Sequence, residues 1–269
     1  MTSAQPPAEP GFDRLAKTYT DHAAVPAEAG ARLLERLDGL RFAPARILEL
    51  GCADGRHCLA LHQRYPAARI IGLDSSAGML CRARRRRGIW KRRFELLRGD
   101  FHALPLAGEQ FDLVFANLSL SWARDALESL KAARRVLRPG GLFLGSVYGP
   151  DTLAELGDEF RLSAAFRPDV QALGSLLVRA GFLEPVLDTD WITTTHSSLE
   201  TLLAEARGMG VVNHEATSAG RPEGSPLTRA TWEIVGASAW APEPGQPSRS
   251  GTGEEVSIPI DRIGRRRRS

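Results

Sequence analysis

The sequence predicts an α/β fold in which a seven-stranded, mostly parallel sheet carries helices on both faces. Short apolar runs recur along the chain, separated by stretches with helical spacing. Strands of this kind are buried on both faces, as in parallel sheets. Residues 47–74 combine a strand, a glycine turn, a helix, a second strand and a terminal acid, which together form one βαβ unit. Such a unit presents a nucleoside site at the carboxyl ends of its strands.

The other elements follow in chain order. Apolar runs predict strands over residues 47–50, 70–73, 94–98, 111–116, 142–147, 185–195 and 231–240. Helical spacing predicts helices over residues 12–40, 76–86, 125–137, 151–160, 170–180 and 199–207. Pro26 is expected to split the first of these into two helices, and Ser75 or Ser76 to cap the second. The sequence Arg-Pro-Gly-Gly at 138–141 predicts a turn before the fifth strand.

The composition is that of an ordinary globular protein. Hydrophobic residues make up 43% of the 269-residue chain and charged residues 25%. No apolar run approaches the ~20 residues of a membrane span, and the first residues lack the features of a signal peptide. Cys52, Cys58 and Cys81 have no metal-type pairing, so we expect no metal site and a reduced, cytoplasmic setting.

The glycine turn distinguishes between two kinds of nucleoside ligand. A dinucleotide fingerprint needs glycine at the first, third and sixth positions, where this chain has Gly51, Ala53 and Arg56. The E/D-x-G-x-G-x-G turn of S-adenosylmethionine (SAM) methyltransferases fits better, as Glu49, Gly51, Ala53 and Gly55, with alanine at its second glycine. SAM has no phosphate, so the turn need not cradle one. An ordinary tight turn, or a nicotinamide dinucleotide site, remains the alternative.

Polar residues at three successive strand ends favour an adenosine-containing ligand. Asp74 is placed to accept hydrogen bonds from ribose hydroxyls, and Asp100 from an adenine amine. The backbone of Phe101 can meet the ring edge, and the carbonyl of Asn117 can bind an amino group. Carboxyl ends of neighbouring parallel strands share one crevice, so we expect these groups to converge. Ser75 and Met79, at the start of the following helix, complete the predicted cofactor set.

Several segments resemble class I SAM-dependent methyltransferases: FDRLAKTY, ILELGCADG, IIGLDSSAGML, FDLVFANLSLSW and LVRAGFLEPVLD. GPDTLAEL, WKRRF and AWAP more narrowly resemble the malonyl-acyl-carrier protein O-methyltransferases of biotin synthesis, the BioC family. The resemblance covers residues 12–206 and returns at 233–242. It departs from the family pattern at Ala53-Asp54 in the turn, at Ser121 and over residues 166–171. The last two departures lie on the expected acceptor side.

The resemblance implies a Rossmann-like class I SAM methyltransferase fold with a definite domain plan. Residues 1–10 are expected to be disordered, and residues 11–45 to form helices that cover or pack against the site. Residues 46–240 would form the methyltransferase domain, with an acceptor-side insertion at 152–182 and a loop at 208–228. Residues 241–269 would be a flexible, basic tail.

The resemblance also implies a reaction: transfer of the SAM methyl group to the free carboxylate of a malonyl-carrier protein, or of malonyl-CoA. A carboxylate with a pKa of about 4 is already ionised at neutral pH, so we expect no general base. Cationic or hydroxyl groups would orient the acceptor; the candidates are Tyr19, Trp122, Arg124 and Tyr148. Two other functions stay open: a SAM-binding assembly factor or protein modifier, and a methyltransferase of free small acids.

The arginine-rich run from Arg82 to Arg93 is the candidate docking surface for an acidic carrier protein, or else a solvated helix face. Residues 265–268 are also all arginine, but the tail lacks the interleaved aromatics that favour nucleic-acid binding. We therefore expect neither a nucleic-acid partner nor a membrane, and we take a monomer as the expected state.

Overall fold

The computed structural model describes residues 11–88, 92–157, 160, 162–213, 229–246, 248–249 and 256–257. Seven strands form the main sheet: β1 Arg46–Leu50, β2 Arg69–Asp74, β3 Glu95–Arg98, β4 Phe111–Asn117, β5 Leu137–Tyr148, β6 Leu183–Thr195 and β7 Arg229–Trp240. Eight helices accompany them: α1 Phe12–Leu15, α2 Tyr19–His22, α3 Ala24–Glu35, α4 Arg56–Arg64, α5 Ala77–Arg87, α6 Ala126–Val136, α7 Val170–Arg179 and α8 Leu199–Gly208. Two short strands, β8 Ser248–Arg249 and β9 Val256–Ser257, pair with each other.

The sheet has the order β3-β2-β1-β4-β5-β7-β6. Pairing is parallel from β3 to β5 and antiparallel on both sides of β7. The predicted seven-stranded, mostly parallel sheet is therefore confirmed. The strand order reverses between β1 and β4, and ligands of open α/β sheets bind at the carboxyl ends of the strands at this switch point.

Side chains from alternate positions fill two cores, one on each face of the sheet. Leu48, Val114 and Phe143 pack on one face with residues of α6 and α7. Ile47 and Leu113 pack on the other face with residues of α3, α4 and α5. This alternation is the two-residue period of a strand, and burial on both faces explains why the central strands β1 and β4 are mostly apolar. Helices thus cover both faces, as the sequence predicts.

Three element boundaries differ from the sequence prediction. Pro26 does not split a helix: the break lies at Ala23, and Pro26 sits in the first turn of α3, where its missing N–H costs nothing. Residues 138–141 are not a separate turn but part of β5, accommodated by a register shift in its pairing with β4.

The third difference concerns the helix predicted over residues 151–160. Among the described residues of this stretch, the helical structure is a single 3₁₀ turn, Ala154–Leu156. The chain bonds instead to β7: Leu153 N donates to Thr231 O at 2.8 Å, and Thr152 Oγ1 donates to Glu233 O at 3.0 Å. These bonds hold the start of the segment against β7, and Leu153 has φ +58°, which is outside the conformation of a right-handed helix. Most of the predicted 208–228 loop and of the 241–269 tail lies outside the described residues.

Within the described part of the chain, the longest apolar helices fall short of what a membrane crossing requires.

Candidate functional site

The glycine turn between β1 and α4 is fastened to the end of β2. The N–H groups of Gly51 and Cys52 both donate to Leu73 O, at 2.8 and 2.9 Å. Gly51 has φ +68°, and a Cβ there would lie 2.5 Å from the Ser119 Cβ. Glycine at position 51 is therefore required for the turn after β4 to pack against the turn after β1. Ala53 also has a positive φ, 45°, which is unusual for a residue with a side chain.

Asp74 at the end of β2 is held by the turn and by the next helix. Its Oδ2 accepts from Ala53 N and its Oδ1 from Ser76 N, each at 2.9 Å. Burial raises the pKa of Asp74 above its usual value. Each carboxylate oxygen has two acceptor sites, so one on each remains for a ligand hydroxyl. Ser76 caps α5 by accepting from Met79 N at 3.1 Å, which confirms the predicted cap.

Three elements close the crevice from above; we call α1, α2 and the first turn of α3 the roof. Asp13 on α1 accepts from Ser76 Oγ at 2.7 Å and from Gly78 N at 2.8 Å, and these hydrogen bonds lower the pKa of Asp13. His22 on α2 lies against Gly208 of α8, where a Cβ would be 2.3 Å from the imidazole. The roof is thus fixed to helices on both sides of the crevice.

A cavity of about 80 Å³ lies beneath the roof, and we call it the cofactor cavity. Nine predicted site residues line it: Tyr19, Gly51, Ala53, Asp74, Ser75, Met79, Phe101, Asn117 and Trp122. Phe12, Pro26, Leu118 and Ser119 also line it and were not predicted. Apolar walls with one carboxylate and open backbone groups suit an adenosine and its ribose. The chemistry of the lining therefore suits a nucleoside, and the roof limits the volume of the cofactor cavity.

The other five predicted residues do not line this cavity. Glu49 is buried behind the turn, with Oε1 at 3.6 Å from His57 Nδ1. Gly55 packs against Phe94 and Ala83. Asp100 is turned to His102: partial burial works to raise its pKa, but the N–H and the imidazole of His102 lower the pKa overall.

Arg124 and Tyr148, both predicted to orient the acceptor, differ in their surroundings. Arg124 is exposed, and its main-chain N–H donates to His102 Nε2 at 2.9 Å. Tyr148 is fully buried, with its ring centroid 6.0 Å from that of Trp122 in an edge-to-face contact. Burial first, and then the nearby Tyr19, raises the pKa of Tyr148 well above its ordinary value, so the phenol keeps its proton.

Three buried polar atoms have no hydrogen-bond partner among the described residues, and we call the residues that carry them the acceptor wall. The three atoms are Ser119 Oγ, Trp122 Nε1 and Tyr148 Oη. All three follow β4 or end β5. A buried donor left unpaired costs about 1–3 kcal/mol, so native structures usually satisfy such groups. This wall can therefore donate hydrogen bonds to a polar ligand.

A second cavity, of about 660 Å³, is lined mainly by residues that follow β5, and we call it the outer cavity. The described residues lining it are Pro150, Asp151, Thr152, Leu153, Ala154, Gly157, Phe160, Leu162, Ser163, Ala164, Ala165, Arg167 and Asn213. Arg167 is its lining cation, and sequence reasoning missed it. The available signal was its place in the 166–171 stretch, where the chain departs from the family pattern.

Comparison with known proteins identifies the family. The sequence pattern of a methyltransferase domain matches residues 47–141. A malonyl-acyl-carrier protein O-methyltransferase of Xylella fastidiosa is 36% identical, over 96% of this chain and 95% of the relative. One of Halorhodospira halophila is 35% identical over 96% and 94%, and one of Coxiella burnetii 32% over 93% of each. The chain belongs to the malonyl-acyl-carrier protein O-methyltransferase family. It is a SAM-dependent methyltransferase, and SAM is its methyl donor.

Solved structures agree on the fold. A methyltransferase of Haloferax volcanii, solved with its Trm112 activator, has a TM-score of 0.62 at 19% identity and covers 90% of this chain and 100% of its own. A phosphoethanolamine N-methyltransferase of Haemonchus contortus, bound to S-adenosylhomocysteine, has a TM-score of 0.61 at 16% identity and covers 88% and 60%. The Rossmann-like methyltransferase fold of this family is thereby confirmed.

Proposed function

We propose that the protein transfers the methyl group of SAM to the free carboxylate of a malonyl group carried by an acyl carrier protein, as a step of biotin synthesis. Family membership supports this acceptor. The observation that carries it is the acceptor wall, whose buried atoms Ser119 Oγ, Trp122 Nε1 and Tyr148 Oη have no hydrogen-bond partner among the described residues. An anionic acceptor would satisfy the hydrogen-bond capacity that this wall leaves unused.

In the proposed reaction, the protein positions the two reactants and does not transfer a proton. When bound, SAM supplies an electrophilic methyl group, and its transfer forms one C–O bond, breaks one S–C bond and cancels one positive and one negative charge. A malonyl carboxylate is ionised at neutral pH without help. The high pKa of Tyr148 keeps its hydroxyl a donor, so Tyr148 and Trp122 would hold one carboxylate oxygen while the other faces the methyl group.

The predicted cofactor residues take their proposed roles on the other side. Asp74 would accept from the ribose hydroxyls, with Gly51, Ala53, Ser75, Met79, Phe101 and Asn117 around the nucleoside. Glu49 and Gly55 would support the turn from behind, and Asp100 would act at the adenine edge. The cavity of about 80 Å³ holds only part of SAM. We therefore propose that the roof, within the predicted 11–45 segment, moves outward when SAM enters.

Some arginines of the predicted carrier-docking run, residues 82–93, make contacts within the protein. Arg82 donates to Lys17 O on the segment between α1 and α2, and Arg86 pairs with Asp54 at 2.5 Å. Arg84 and Arg85 on α5 are exposed, as are Arg92 and Arg93. We propose that these four arginines attract an acidic carrier, an effect that mainly accelerates encounter. The chain is expected to act on its carrier as a monomer.

An assay with methyl-labelled SAM tests the proposed function. Malonyl-carrier protein, malonyl-CoA and free malonate are each offered as acceptor. Label in a base-labile ester on the carrier is the expected result, and restored growth without biotin in a cell lacking this step would agree with it. SAM binding without label on any acceptor would favour an assembly factor, and label on free malonate alone a small-acid methyltransferase. Either outcome rejects the proposal.

A further inference from the structure

Arg167 is a partly buried cation that the described residues leave largely unpaired. Its Nε is buried and has no hydrogen-bond partner among the described residues. Its one hydrogen bond there is long, from Nη1 to Pro150 O at 3.5 Å, and no carboxylate of the described residues lies within ion-pair distance. A guanidinium removed from water without an anion is energetically costly and is usually compensated by a ligand or a partner.

The half-burial of Arg134 provides a comparison within the same chain. Burial lowers the pKa of both Arg134 and Arg167, but the carboxylate of Glu109 partly offsets this for Arg134. No carboxylate of the described residues offsets the effect of burial for Arg167. Arg134 lies on α6 and lines neither the cofactor cavity nor the outer cavity. Arg167 therefore differs from Arg134 because it lines a cavity and because no described carboxylate pairs with it.

The segment that carries Arg167 is tied to the acceptor wall. Phe166 N donates to Ser121 O at 3.0 Å, and Tyr148 N donates to Ser121 Oγ at 2.9 Å. Ser121 is thus the common attachment of the Arg167 segment and of Tyr148. Tyr148 also shares a buried cluster with Leu153 and Ala164, which line the outer cavity, and Trp122 packs against that cluster. Trp122, which lines the cofactor cavity, and residues that line the outer cavity therefore belong to one packed region.

We propose that the outer cavity is the passage through which the methyl acceptor reaches the cofactor cavity, and that Arg167 binds an oxyanion of that acceptor. The proposal rests on the proposed function and adds a substrate-holding residue to it. Two groups of a malonyl thioester have the required chemistry: the malonyl carboxylate and the phosphodiester of the carrier's arm. A volume of about 660 Å³ is in the range of small-molecule sites. Asp151, the carboxylate in the lining, is exposed to solvent and leaves the guanidinium available.

The test compares Arg167→Met and Arg167→Lys with Arg134→Met as the matched loss of a half-buried guanidinium. Three acceptors separate the two oxyanions: malonyl-carrier protein, malonyl-CoA, and the malonyl thioester of N-acetylcysteamine, which has no phosphate. A charge-assisted, bidentate contact predicts that Arg167→Met lowers kcat/KM by about 10- to 100-fold, mainly through KM. Arg167→Lys should recover part of that loss, and Arg134→Met should stay within about twofold of the parent.

The pattern across acceptors assigns the oxyanion. A loss on all three acceptors assigns the carboxylate, and the parent's preference for the malonyl thioester over its neutral methyl ester as a bound ligand should then vanish in Arg167→Met. A loss on the carrier and CoA forms alone assigns the phosphodiester. Unchanged kinetics on all three acceptors overturns the proposal. Affinity for SAM, measured by calorimetry, should be the same in every variant, since Arg167 does not line the cofactor cavity.

A binding measurement separates this inference from the proposed function. Malonyl-CoA is titrated into the protein in the presence of S-adenosylhomocysteine, so that no turnover occurs. Weaker binding by Arg167→Met supports the role of Arg167 even if no acceptor is methylated, which would reject only the proposed function. Equal binding by parent and variant, or no binding by the parent, rejects the role of Arg167. If Arg167→Met fails to fold, Arg167→Gln and Arg167→Lys take its place in the same comparison.

Discussion

The cofactor side and the acceptor side of the crevice differ in how their polar groups are satisfied. On the cofactor side, Asp74 and Asp13 each accept two hydrogen bonds from neighbouring elements. On the acceptor side, Trp122, Tyr148 and Arg167 each keep a buried polar atom without a partner in the described residues. The two carboxylates of the first side are thus held in place before any ligand arrives, although Glu49 Oε2 behind the turn also lacks a partner among the described residues. The second has hydrogen-bond capacity in reserve, which an anionic acceptor would take up.

Removing the Asp74 carboxylate is expected to have the largest effect on the organised side. Asp74→Ala should weaken SAM binding by about 1–3 kcal/mol, because the ribose loses a charged acceptor and the turn loses its contact at Ala53. Calorimetry measures this directly. Asp190→Ala, which removes a surface carboxylate paired with Arg32, is the control and should bind SAM normally. Equal affinities for the two variants would contradict the assigned role of Asp74.

On the acceptor side, the variant Tyr148→Phe should lose activity without losing stability. Tyr148→Phe removes a buried hydroxyl that has no partner in the described residues, so thermal stability should stay the same or rise. The value of kcat/KM for the malonyl acceptor should nonetheless fall about tenfold or more, because a donor to the carboxylate is lost. Tyr65→Phe alters a tyrosine outside both cavities and serves as the control. A large loss of stability in Tyr148→Phe would show that the hydroxyl is structural.

A smaller effect is expected where the roof meets α5. Asp13→Ala should lower the free energy of unfolding by about 0.5–1 kcal/mol, a modest value because Asp13 is exposed. The folded state lowers the pKa of Asp13 below 3.8, so its contribution is complete above that pH and is lost as pH falls through the lowered pKa. Urea unfolding between pH 3 and 7 should show the difference shrinking at the acid end. Asp21→Ala, at an exposed position of α2, should show no such difference.

The smallest effect concerns the carrier. Arg84→Gln with Arg85→Gln should raise KM for malonyl-carrier protein a few-fold at low salt, leave KM for malonyl-CoA unchanged and weaken the salt dependence. The pair Arg41→Gln and Arg179→Gln makes the same change of charge at other exposed positions. If both pairs behave alike, only net charge matters and α5 is not a docking surface.

The same contrast explains what could be predicted from the sequence. The cofactor side is built largely from local pairs: Ala53 and Asp74 are 21 residues apart and lie in one βαβ unit. Strand, turn and helix signals suffice to place them. The acceptor side joins residues 118–122, 148–154 and 162–167. Its geometry depends on the segment that follows β5, which begins by bonding to β7 and not by starting a helix. No local pattern encodes that choice, so Arg167 and Ser119 were missed, and Arg124 is exposed outside both cavities.

The attachment of the roof at two ends has a consequence for the order of events. Asp13 joins α1 to the helix beside Asp74, and His22 rests on Gly208 at the end of α8, five residues before Asn213 of the outer cavity. A ligand that orders the roof at its contact with α5 should therefore also order its contact with α8. Donor and acceptor should then bind cooperatively, each raising the affinity for the other by the same factor.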